Sequence, residues 1–265
     1  MGGAAVASVM TARAVRDGTA TTRSDAVQPA QGSTPSPARA SALSALETSV
    51  VVIDPGHNGG NSSHPEKINR FVDAGTLRKP CSTTGTFTSD GYPEAAHNFD
   101  VARRLAHLLR EAGARVVLTR STNTGWGPCI TQRAQIGNRV HADAGISIHA
   151  DAGPPSGRGF HVIYPPAIEG LTDDIALPSR RLAFDVRRAF QTGTGMPYAN
   201  YVGTRGLDVR SDLGGLNLSD VPKVFIETGN MLNPDDARRL SRPRFRQREA
   251  LAIRLGLAAF LRRAQ

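Results

Sequence analysis

The chain has 265 residues, 39% of them hydrophobic, and a formal net charge of +9 from 32 Lys and Arg against 23 Asp and Glu. That length suits one or two domains, and the apolar runs from residue 50 onward suffice for one sizeable core. No stretch approaches the ~20 apolar residues that span a bilayer, and no basic patch interleaved with aromatics is present, so neither a membrane span nor nucleic-acid binding is expected.

The positive balance reads either as a solvated face or as attraction to a polyanion. Residues 1–47 are rich in Ala, Ser, Thr, Pro and Arg. Such a segment cannot bury enough apolar surface to offset its chain entropy, so it reads as a disordered leader or linker. Gly2 to Met10 is small and mildly apolar but lacks the basic start and strong apolar centre of a secretory signal. It fits the remnant of an export signal or an ordinary tail. The folded domain is expected over residues 48–265.

Val50-Val51-Val52-Ile53 reads as a strand buried on both faces. Asp54-Pro55-Gly56-His57-Asn58-Gly59-Gly60 ends it in a turn that presents His57 past the strand's C-terminal end, where open α/β sheets place their ligands. A metal or catalytic role for His57 follows as an expectation. Residues 58–92 are polar throughout, and a loop of that length is usually functional or tied down. Cys81 lies in it and Cys129 lies beyond the second strand. Without a C-x-x-C spacing they suit no cysteine zinc cluster, and they either pair in an exported protein or stay as two free thiols. A Cys81–Cys129 bridge would tie the long segment down.

Pro93 to Ala112, closed by Gly113, reads as a helix. Val101, Ala102, Leu105, Leu108, Leu109 and Ala112 form its apolar stripe, and the same spacing carried backward turns Asn98 and Glu94 inward. A buried carboxylate needs a cation, backbone donors or a metal, although the first helical turn also favours an acid through the helix dipole. Arg115–Thr119 is the second strand, parallel to the first across the helical crossover, and a short helix spans Thr131–Val140. Gly145–His149 repeats the opening theme, an apolar strand ending in a histidine. A strand over Gly159–Tyr164 and a helix over Pro178–Gln191 follow. Tyr201–Ser219 is Gly-rich and expected to be irregular. Arg205 within it is weighed as a binder of a substrate carboxylate. Lys223–Asn230 forms a strand that ends near Glu227. Asn233-Pro234 opens a short helix, and a last helix from Arg244 to Leu261 turns Ala250, Ile253, Leu257 and Phe260 inward.

These elements make a single α/β domain with a twisted, mostly parallel sheet flanked by helices on both faces. Strand ends carrying His57, His149 and Glu227 and a helix start carrying Glu94 can converge on one edge. Two imidazoles and one carboxylate with an open fourth position are the usual ligands of a catalytic zinc, and a further carboxylate can then move protons. His97, three residues after Glu94, is the alternative ligand, although a buried histidine bonded locally suits it better. His161 is open between core packing and lining a pocket.

The ordered blocks Asp54-Pro55-Gly56-His57-Asn58-Gly59-Gly60, Glu94 with Asn98, Ile146-Ser147-Ile148-His149-Ala150 and Val224-Phe225-Ile226-Glu227-Thr228-Gly229-Asn230 resemble those of the type-3 family of zinc-dependent N-acetylmuramoyl-L-alanine amidases. The resemblance covers essentially residues 49–263. It implies a mixed sheet, one Zn2+ per chain held by His57, Glu94 and His149, and Glu227 as the catalytic residue. It further implies a substrate of peptidoglycan or muropeptides, cut between N-acetylmuramic acid and L-alanine. An exported, periplasmic or cell-wall-associated monomer is expected. The chain departs from the family in the extra sequence between His57 and Glu94 and in Asp151, where Asn is commoner. The rival readings are a catalytically silent binding or regulatory protein on the same fold and a zinc carboxypeptidase.

Overall fold

The computed structural model describes residues 45–264. The leader expected over residues 1–47 lies outside the described residues except at its end, where Ala45 and Leu46 are already buried in the core. β1 (Val50–Pro55) is an apolar strand in which Val51, Val52 and Ile53 are wholly buried. The long segment after it is not structureless. A 3₁₀ turn at Asn61–Ser63, a one-turn helix α1 (Pro65–Ile68) and a hairpin of β2 (Phe71–Asp73) with β3 (Arg78–Pro80) occupy it. The Cys81–Cys129 disulfide then ties its end to the far loop.

Helix α2 (Glu94–Glu111) starts with Pro93 as its N-cap, and Gly113 leaves it in the left-handed conformation, at φ 87°, that glycine tolerates best. In chain order follow β4 (Arg115–Leu118), α3 (Ile130–Arg139), β5 (Ala144–Asp151), β6 (His161–Tyr164) and α4 (Ala176–Thr194). Then come β7 (Leu207–Val209), α5 (Gly214–Asn217), β8 (Lys223–Asn230), α6 (Pro234–Leu240) and α7 (Pro243–Ala264). β7 and α5 lie in the stretch expected to be irregular. With 3 and 4 residues they are too short to show a period in the sequence.

The strands form one sheet in the order β4-β1-β5-β8-β6-β7. The first four run parallel, β6 pairs antiparallel with β8, and β7 runs parallel to β6. Alternation along each strand sorts two faces. Val51, Ile53, Ile146, Ile148, Val224 and Ile226 enter the main core with Leu105 and Leu109 of α2, Leu182 and Phe190 of α4, and Ile253 and Leu257 of α7. The opposite face carries Val52 against Ile136, Val140 and Val221, a much smaller apolar cluster beside α3. Asp54, Ser147, Lys223, Phe225 and Glu227 also point to that thinly covered face. Asp54, Ser147, Lys223 and Glu227 therefore sit on one side of the sheet and the main core on the other. Among the described residues no helix is long and apolar enough to cross a membrane.

Candidate metal centre and active site

β1 ends at Pro55, and the Gly56 N–H donates to the Ile148 carbonyl at 3.0 Å, which locks the turn onto the neighbouring strand. A Cβ on Gly56 would fall 2.2 Å from the His149 ring, so only glycine leaves His149 its place. His57 follows at φ 56°, in the left-handed region that non-glycine residues rarely enter. Its Nδ1 lies 3.0 Å from the Thr83 carbonyl. An N–H there leaves the Nε2 lone pair facing inward.

Glu94, at the first position of α2 and 4% exposed, stands between the two imidazoles. Its Oε2 is 3.1 Å from His57 Nε2 and its Oε1 is 3.0 Å from His149 Nδ1. Asn98 donates to Oε1 at 3.1 Å, and the Thr86 N–H to Oε2 at 3.0 Å. Ligand atoms of His57, Glu94 and His149 all lie within 4.8 Å of one another. Nitrogen and oxygen donors of this kind, converging on one point, fit a borderline divalent ion such as zinc.

The charges agree with that fit. Burial opposes ionisation of Glu94, but His57 and His149 outweigh it and hold the carboxyl well below its usual range. Burial likewise opposes a charge on His57, yet the Glu94 carboxylate and the Thr83 carbonyl raise its pKa. His149 goes the other way, lowered chiefly by burial. The cluster thus wants a positive charge beside Glu94, which a proton supplies in part and a metal ion supplies better.

Glu227 stands directly across from His149 in the β5–β8 register and across from His161 in the β8–β6 register. The three side chains therefore form a row on one face of the sheet. Glu227 Oε2 is buried without a hydrogen-bond partner. Burial, then the carboxylates of Glu94 and Asp151, lift its pKa well above the usual range, while Arg210 pulls it back. A cavity of about 550 Å³ exposes His57, Glu94, His149 and Glu227 together. Arg210 lines it and clasps Asp212 at 2.8 and 2.7 Å.

Arg205 is exposed in the turn ahead of β7 and does not line this cavity. His97 is wholly buried and turns away from the centre, with Nε2 3.0 Å from the Thr228 hydroxyl and 3.6 Å from Glu249. His161 is buried beside the Tyr201 ring. Thr83, Gly85 and Thr86 come from the long segment and wrap the centre, and a Cβ on Gly85 would lie 2.7 Å from Glu94 Oε2. Their sequence shows only a Thr/Gly-rich loop, and nothing in it announces contact with Glu94.

The family model described as N-acetylmuramoyl-L-alanine amidase matches residues 51–259. An N-acetylmuramoyl-L-alanine amidase of Mycobacterium tuberculosis is 42% identical over 214 residues, 80% of this chain and 86% of its own. The chain belongs to the N-acetylmuramoyl-L-alanine amidase family. The amidase is also similar to the crystal structure of Ami1 from Mycobacterium smegmatis, at 41% identity and a TM-score of 0.76 over 82% of this chain and 98% of that one. AmiC2 of Nostoc punctiforme, at 24% identity and a TM-score of 0.60, covers 80% of the amidase and 96% of its own chain and shares the fold. The matched span of the amidase contains His57, Glu94, His149, Glu227 and His161, and the segment between His57 and Glu94 that wraps the centre.

Proposed function

We propose that this chain is a zinc-dependent amidase that cuts the bond between N-acetylmuramic acid and the L-alanine of peptidoglycan stem peptides. His57, Glu94 and His149 hold one zinc ion, and Glu227 is the catalytic residue. The observation that carries the reading is the meeting of a three-residue ligand set with a partnerless carboxyl in one cavity.

When bound, zinc supplies Lewis acidity that polarises a carbonyl and makes water more acidic. Glu94 contributes the negative charge that such an ion requires, held in place by Asn98 and the Thr86 N–H. The two imidazoles contribute neutral nitrogen donors. Glu227 takes a proton from the attacking water and gives it to the departing amine nitrogen. Its buried site favours the protonated form, so Glu227 can hold that proton between the two events. Arg210 opposes this rise, favouring the ionised carboxylate that a base requires.

The paired cysteines support export to an oxidising compartment, periplasm or cell wall, where the wall is met. All four proposed residues come from one chain, so a monomer suffices. Residues 1–47 serve in this reading as a leader or linker to the catalytic domain at 48–265.

Digestion of a purified muropeptide, with and without a zinc chelator, tests this by mass spectrometry. Release of the intact stem peptide with a free N-terminal L-alanine is expected, stopped by chelation and restored by zinc. Loss of a C-terminal residue instead would identify a carboxypeptidase. Uncut muropeptide beside bound zinc would identify a silent binding or regulatory protein.

A further inference from the structure

We infer that the Cys81–Cys129 disulfide and the buried Arg133 form one brace that positions His57, so that the affinity of the centre for metal depends on that covalent bond. The inference rests on the reading of His57 as a ligand. It assigns positioning roles to Arg133, Thr83 and the two cysteines.

His57 needs outside support because its backbone lies at φ 56°, where an L side chain is strained. Arg133 provides it from below. Its Nη2 donates to the His57 carbonyl at 2.8 Å, and its Nη1 to the Pro55 carbonyl and to Asp54 Oδ1, both at 2.7 Å. Nε donates to the Pro128 carbonyl at 2.9 Å, and Nη2 also reaches the Gly127 carbonyl at 3.0 Å. One guanidinium thus ties the turn that carries His57 to the loop ahead of α3. The side chain is 6% exposed, so water cannot replace these bonds.

Thr83 provides the second support, on the ring. Its carbonyl and its hydroxyl, 3.0 and 3.1 Å from Nδ1, set the direction of the imidazole, and the carbonyl, which can only accept, favours an N–H there. Thr83 lies two residues after Cys81, and Arg133 lies four residues after Cys129, the N-cap of α3. Both supports of His57 therefore grow from the two halves of one disulfide. The Ile130 N–H donates to the Cys81 carbonyl at 2.8 Å beside the bridge. Asn61 adds a non-covalent tie, donating to the Thr83 carbonyl at 2.7 Å and accepting from the Gly127 N–H at 2.8 Å. Losing the disulfide thus loosens the brace without dismantling it. His149 sits on β5, outside the disulfide loop, and Glu94 sits on α2 with Asn98 holding its Oε1 and the Thr86 N–H its Oε2, so the effect falls chiefly on His57 and reaches Glu94 only through Thr86.

The test compares zinc dissociation constants, by competition with a chromophoric chelator, for the oxidised protein, the double variant Cys81→Ser/Cys129→Ser and Arg133→Lys. Each is measured at a temperature where circular dichroism shows it folded. Both variants should bind zinc about 10- to 100-fold more weakly, the usual effect of losing support around a metal ligand. The visible spectrum of the cobalt-substituted protein should shift with them. Lysine is included because its ammonium keeps the charge but cannot bridge the same carbonyls. Leu257→Ala in α7, which lowers stability far from the centre, should leave the zinc constant unchanged. Folded variants that bind zinc as tightly as the parent would overturn the brace. A parent that takes up no zinc, or binds it unaltered in His57→Ala, would overturn the ligand reading beneath it. Should Arg133→Lys not fold, the double cysteine variant decides alone, and the reverse holds equally.

Discussion

Gly56 decides whether His149 has room. A methyl group there would lie 2.2 Å from the ring, well inside contact distance, so the ring or the turn must move. Gly56→Ala is therefore expected to lower zinc retention at least about 10-fold, with the far-ultraviolet spectrum unchanged. Metal content after dialysis against a weak chelator checks it, and an undiminished content would contradict the packing argument. The residues of the centre differ in how far the sequence exposes them. His57, His149 and Glu227 each end an apolar strand, and Glu94 falls on the inward stripe of α2 when that stripe is carried backward. Thr83, Gly85 and Arg210 come from segments without a period, and their approach to the centre depends on a fold path that local sequence does not encode. Arg205 illustrates the same limit: its type suits carboxylate binding, yet its turn leaves it outside the cavity.

Where α7 meets α2 and β8, a second buried pair lies on the far side of the sheet from the centre. His97 and Glu249 are both wholly buried, 3.6 Å apart. Thr228 adjoins them, while Arg246 and Asp100 act on both through their charges. Burial lowers the His97 pKa from 6.5 to about 4 and raises that of Glu249 from 4.5 to about 8. Between pH 4.5 and 6.5 the folded pair holds one proton, on Glu249, and the unfolded pair holds one, on His97. Stability is level there with respect to this pair. From pH 6.5 to 8 the unfolded pair holds none while Glu249 stays protonated in the fold, so stability falls as pH rises. The loss over that interval is about 2 kcal/mol at about 1.4 kcal/mol per pH unit. Glu249→Gln should remove it. Urea unfolding at pH 6.5 and pH 8 checks this, and parallel losses in both proteins would contradict it. The long elements here were legible because α2, α4 and α7 each present an apolar stripe over many turns. β7 and α5 were not, since β7 forms by pairing with β6 and α5 is anchored by Asn217, which donates to the Ala74 and Ser211 carbonyls.

At the scale of the molecule, the disulfide closes a loop of 48 residues in sequence separation, which contains α2 and the part of the wrapping segment that carries Thr83, Gly85 and Thr86. Chain-entropy arguments give such a closure roughly 4 kcal/mol. Removing it should lower Tm by roughly 10 °C for a domain of this size. Calorimetry on the oxidised protein and the double serine variant measures it, and equal transitions would show that the reduced chain retains the same constraint. The alternation of strands and amphipathic helices made the α/β class and the parallel pairing of β1 with β4 readable. Composition marked the segment after β1 as polar but could not reveal the hairpin within it, because none of the residues of β2 and β3 is buried.

The centre divides labour between ligands and a proton carrier, and one comparison separates them. Zinc content and muropeptide cleavage would be measured side by side for the parent, Glu227→Gln and Glu94→Gln. Glu227→Gln should keep one zinc per chain and cut at least about 100-fold more slowly, whereas Glu94→Gln should lose metal and cleavage together. A Glu227→Gln protein that cuts at the parental rate, or loses its zinc as Glu94→Gln does, would contradict the division.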